Sequence, residues 1–177
     1  TIAAHRTFIR FPSSALYSPV AYLPQAVGID VGRVIYPSVG GMVLMGRIFN
    51  LGAYIFMVWL AICMARQGKW VYAAAGLLPV GLQEAASLST DVMTIGLCFI
   101  TVAFIHNLFV QKEPLSKRHY LLLLGLAIGL GLTKQTNIVI LLALLFLPRE
   151  VLGSTKRKLI MALNVLGTSV LAALTWY

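Results

Sequence analysis

The chain has 177 residues, 59% of them hydrophobic and 11% charged, with a mean hydropathy of +0.88, a composition that excludes an ordinary soluble domain and marks an integral membrane protein. The 14 Lys and Arg against 5 Asp and Glu give a net charge of +9. These bases cluster in short turns beside apolar runs, which carries orientation information for a membrane and argues against a nucleic-acid interface.

Thr1 is not an initiator methionine, and the chain stops abruptly on Leu174-Thr175-Trp176-Tyr177. The sequence is therefore expected to be a piece of a longer protein. Residues 1–45 are punctuated by Pro12, Pro19, Pro24 and Pro37, with Phe8, Phe11, Tyr17, Tyr22 and Tyr36 among small residues. They read as an irregular extracytoplasmic loop with interfacial aromatics. One short helix over 21–35 is expected inside it, with Asp30 and Arg33 at pairing distance.

Residues 46–177 read as a transmembrane helical region. Residues 48–65 carry no charge and approach the ~20 residues that a bilayer core requires, ending at Arg66-Gln67-Gly68-Lys69. Residues 70–82 return across, with Trp70 and Tyr72 as an aromatic belt and Pro79 as a kink. Residues 92–110 form a third span, closed by Lys112, Lys117 and Arg118.

Residues 120–148 read as one long helix or as a hairpin broken at Thr133-Lys134-Gln135-Thr136-Asn137. A single crossing would put Arg149, Lys156, Arg157 and Lys158 on the side of Glu84, whereas a hairpin returns them to the side of Arg66 and Lys117. The positive-inside rule favours the hairpin, with arms of roughly 14 and 11 residues, about 21 and 17 Å at helical rise. Residues 159–177 supply a last span. The expected fold is all-α, a polytopic bundle of about six membrane segments with one pair short.

Between the second and third segments lies Gln83-Glu84-Ala85-Ala86-Ser87-Leu88-Ser89-Thr90-Asp91. A carboxylate so placed between apolar runs is a functional candidate by default. Asp91 also fits helix capping, or the positive end of a helix dipole. A continuous helix would put Glu84 and Asp91 on one face, but the serines between them favour a break. Arg47 reads as an interfacial anchor or as a bidentate phosphate clamp. Lys134, between apolar arms, needs an anionic partner. Cys63, Cys98 and His106 read as packing or interfacial residues, and Gly125, Gly129 and Gly131 as close-packing positions. His5 and His119 lack partners at metal-ligand spacing, and no metal site is assigned.

Four blocks are shared in order with a known group: Tyr17-Ser18-Pro19-Val20-Ala21-Tyr22-Leu23-Pro24-Gln25-Ala26-Val27-Gly28-Ile29, Gly46-Arg47-Ile48-Phe49-Asn50, Ala85-Ala86-Ser87-Leu88-Ser89-Thr90-Asp91 and Leu132-Thr133-Lys134. Together they resemble a bacterial family of polytopic membrane proteins of unknown function, similar in layout to the GT-C glycosyltransferases, which use polyprenyl-phosphate-linked sugar donors. The resemblance implies a bacterial inner-membrane protein in which Asp91 matches a second outer acid; the principal acid of that layout follows a membrane helix, and with no acid before Asp30 here either it lies in a part before Thr1 or the catalytic inference does not hold. Sugar transfer from a lipid phosphate needs a base, positive charge for the departing phosphate and a cavity open to lipid. Asp91 and Glu84 are the candidates to activate or orient an acceptor or to hold a divalent cation. Arg47 and Lys134 are candidates for the phosphate, and Tyr17 and Tyr22 for the sugar or prenyl chain. The rival class is a transporter or lipid-handling protein in which Glu84, Asp91 and Lys134 form an ion or proton relay; a noncatalytic assembly subunit is a third.

Overall fold

The computed structural model describes residues 18–176. Eight α-helices and two 3-10 segments follow one another, and no strand occurs among the described residues. A 3-10 turn over Pro19–Tyr22 leads into α1 (Leu23–Ile35). Then come α2 (Val39–Met64), α3 (Lys69–Gly76), α4 (Pro79–Ala85) and α5 (Asp91–Gln111). After α6 (Lys117–Thr133) a 3-10 segment over Gln135–Phe146 leads to α7 (Arg149–Leu152) and α8 (Thr155–Leu174).

The first long helix begins earlier than the uncharged run suggests. Ser38 is extended, and its hydroxyl accepts the Gly41 N–H, a side-chain cap that starts α2 at Val39. Arg47 therefore lies two turns inside a helix instead of just before one. The irregularity expected across residues 1–45 gives way, from residue 23 on, to an antiparallel pair formed by α1 and the first half of α2. That pair is close because Gly28 and Gly32 face it: a Cβ on Gly28 would sit 2.6 Å from the Met45 carbonyl oxygen, and one on Gly32 2.8 Å from the Met42 Cα. The expected Asp30 and Arg33 pair forms at 2.9 Å on the exposed side.

Contacts along the bundle give each element its direction. Asn50 of α2 reaches Ser87 and Ser89 just before α5, and Met64 at the end of α2 meets Asn107 near the end of α5. The two helices are parallel, so α3 and α4 carry the chain back between them. The return expected at residues 70–82 is two short helices rather than one kinked span. Leu78 is extended (ψ 133°) before Pro79, as the residue before proline tends to be.

The second half repeats the pattern. Lys134 is extended (φ −154°, ψ 113°) and separates α6 from the 3-10 segment. The Leu115 N–H, just before α6, donates to the Val151 carbonyl at 2.9 Å, so the chain folds back on itself as the charge argument favours. The arms are longer than expected, because α6 starts at Lys117 and the 3-10 rise of ~2 Å per residue extends the other to roughly 24 Å. In α8, which runs parallel to α6, the Ser169 carbonyl occupies the space a Cβ on Gly131 would take, while Gly125 faces open space.

Among the described residues, three helices are long and apolar enough to cross a membrane: α2, α5 and α8. The expectation of about six spans is narrowed accordingly. α6 and the other passes are too short or too broken to qualify on their own. Phe56, Trp59, Leu121, Phe146 and Leu163 stand exposed on the outside, a surface suited to lipid. Inside lies one apolar core that includes Met57, Phe104, Leu123, Leu130, Leu141, Leu144 and Val165.

This arrangement separates two ends. Arg66, Lys69, Lys112, Lys117 and Lys156 belong to the connections at one end, and Glu84, Asp91 and Lys134 to the other. If the basic end is cytoplasmic, a membrane-impermeant maleimide added outside intact cells should label a cysteine at Ser89 and spare one at Gln67, with Cys63 and Cys98 replaced by Ala. Equal labelling of the two positions would overturn that orientation.

Candidate functional site

At the acidic end, the turn over residues 86–90 is built from its own side chains. Ser87 Oγ donates to the Glu84 carbonyl at 2.7 Å, closing α4, and Ser89 Oγ accepts the Asp91 N–H at 3.2 Å, opening α5. The break between Glu84 and Asp91 expected from the serines is present. Thr90 caps the helix without a side-chain bond, and Asp91 is the acid of the first turn, where the helix dipole favours its charge.

Asp91 has a second attachment. Lys134 Nζ donates to Asp91 Oδ1 at 3.0 Å, and both side chains are 37% exposed. The extended backbone of Lys134 ends α6 next to the start of α5, and the Thr133 hydroxyl tidies that helix end by donating to the Gly129 carbonyl at 3.0 Å. The anionic partner that Lys134 needs is Asp91. A pair this open to solvent contributes little to stability, about 0–1 kcal/mol.

A third element locks the turn to α2. Asn50, 1% exposed, donates from Nδ2 to the carbonyls of Ser87 at 2.9 Å and Ser89 at 3.1 Å, with Gln25 Oε1 at 3.5 Å. Gln25 is also buried and comes from α1, so one amide ties α1, α2 and the turn together. Above it, a Cβ on Gly46 would meet a Leu88 methyl. Asn50 Oδ1 is buried with no partner among the described residues.

The remaining candidates are placed as follows. Glu84 is half-buried one turn before the serines, and its carboxylate makes no ion pair among the described residues. Arg47 is exposed on α2, one turn before Asn50. Tyr22 ends the 3-10 turn, which packs on α5 and α6. Tyr17 lies outside the described residues. No three His, Cys, Asp or Glu among the described residues gather as a metal group; Asp91 and Glu84 are the acids nearest to such an arrangement in sequence.

At the opposite end, His106 packs as expected: Tyr72 Oη and His106 Nδ1 are 3.1 Å apart. Asn107 accepts the Arg66 N–H and donates to the Met64 carbonyl, closing the end of α2. Between α3, α5 and the 3-10 segment runs an open apolar groove of about 880 Å³, bordered by Val71, Phe99, Val102 and Ile140.

A family model described as a predicted membrane protein matches residues 1–177. No curated protein and no solved structure matches the chain.

Proposed function

The chain belongs to the DUF2142 family of predicted membrane proteins, and from that premise we propose that its Asp91 end handles a phosphate-linked lipid substrate as part of a glycosyltransferase-like reaction. In this reading a sugar moves from a polyprenyl-phosphate donor to an acceptor hydroxyl outside the cytoplasm of a bacterial cell. The observation that carries it is the half-open ion pair of Asp91 and Lys134 at the end of a lipid-facing bundle.

The pair suits an exchange. An arriving phosphate takes Lys134, whose ammonium neutralises it, and Asp91 is released as a free carboxylate. Asp91 then accepts the proton of the acceptor hydroxyl as its oxygen bonds to the anomeric carbon. The bond from that carbon to the phosphate oxygen breaks, and the oxygen leaves with the electron pair beside Lys134. Arg47 flanks the same end as a second cation for the phosphate. Glu84 orients the acceptor, and Tyr22 lines the sugar or prenyl chain.

The rival reading, transport or lipid handling, has one observation in its favour: Lys134 sits at the break between two apolar helical segments, as ion sites of transporters often do. One substitution tests the proposal against it. In the full-length protein, Lys134→Met should weaken binding of a polyprenyl-phosphate ligand about tenfold, and Lys134→Arg should retain part of it because charge is kept while geometry changes. Unchanged affinity in Lys134→Met, with the protein folded, would reject the phosphate role.

A further inference from the structure

The basic end contains a feature that the reading above does not use. A cavity of about 260 Å³ opens between the first turns of α6 and α8. Lys117 and Tyr120 of α6 line it on one side, and Arg157, Ile160, Met161 and Asn164 of α8 on the other. Neither Lys117 nor Arg157 makes an ion pair among the described residues. The nearest acids in sequence, Glu113 and Glu150, are both exposed and neither lines the cavity. Two cations thus border one concavity whose own walls hold no counter-charge.

We propose that this cavity binds the phosphate of an anionic phospholipid. The guanidinium of Arg157 offers a planar fork suited to phosphate oxygens, and Lys117 adds a point charge. Tyr120 and Asn164 bring hydroxyl and amide donors to the same cavity. The apolar part of the lining favours a lipid over free phosphate, because Ile160 is 60% exposed and neighbours the exposed Leu159 and Leu163 of α8. α8 is one of the helices long and apolar enough to cross a membrane, so its first turn lies where headgroups do. Basic pockets between membrane helices are suited to such headgroups, with each base near the surface contributing to the attraction.

The test uses the full-length protein in detergent, titrated with phosphatidylglycerol or phosphatidylcholine, with bound lipid counted by native mass spectrometry. Phosphatidylglycerol should bind about tenfold more tightly than phosphatidylcholine. The double variant Lys117→Gln with Arg157→Gln should lose that preference, and Arg118→Gln, outside the cavity, should keep it. Equal affinity for the two lipids, an unchanged preference in the folded double variant, or displacement of the lipid by inorganic phosphate at equal concentration would each overturn the proposal. Should the double variant fail to fold, the comparison of the two lipids on the unaltered protein still decides.

Discussion

Asp91→Asn in the full-length protein should lower sugar transfer by about 10²-fold or more while leaving the yield of folded protein similar. The substitution keeps size and removes the group proposed to accept the proton. The local fold should survive it, because it is the backbone N–H of residue 91, not its side chain, that donates to Ser89 Oγ. What is lost structurally is a dipole interaction and a pair with both partners 37% exposed, together worth about 1 kcal/mol or less after solvent screening. Transfer measured from a polyprenyl-phosphate sugar, beside the folded fraction from size-exclusion chromatography, separates the two roles. A fall in folded protein with unchanged activity per folded molecule would mean that Asp91 serves only the start of α5.

The parts of this fold that are legible in the sequence are those that charge and hydropathy mark directly. An uncharged run bounded by Asp91 and Lys112 reads as a helix, and it is one. The polar stretch around Lys134 breaks the following apolar region, and the bases on both flanks call for the chain to turn back, which the bond from Leu115 to Val151 realises. Asp91 and Lys134 emerge as candidates from sequence because charge in an apolar context is rare, and the fold joins them directly.

Other features depend on backbone geometry that residue types mark weakly. Gly40 and Gly41 beside Pro37 look like the end of a loop, yet the Ser38 cap turns them into the first turn of α2, which moves Arg47 inside a helix. Pro79 signals a disturbance without saying whether the helix bends or stops; the extended Leu78 makes it stop. Asn50 stands out in sequence only as a polar residue in a shared block, because its principal partners are backbone carbonyls 37 and 39 residues away. No pattern of side chains points to them. The only hint was chemical: an amide in a membrane helix must find partners.

That amide leads to the second large effect. Asn50→Leu should lower the melting temperature of the full-length protein on the order of 5–10 °C. Leucine fills similar space but removes the donors that reach Ser87 and Ser89, leaving two carbonyls next to a 1% exposed position without their side-chain partner. Each such loss costs about 1–3 kcal/mol. The effect should also be local, since the turn carries Asp91 and the tie to Gln25 of α1 goes with it. A cysteine at Ser89 should therefore react faster with a maleimide in the Asn50→Leu background, while one at Gln67, at the far end of the bundle, should react as before. Asn50→Asp should be worse than Asn50→Leu, because a carboxylate would face the same two carbonyl oxygens with no hydrogen to offer. If instead Asn50→Leu melts like the parent and leaves the Ser89 cysteine no more reactive, the turn is held by its own serine bonds, and Asn50 does not position Asp91.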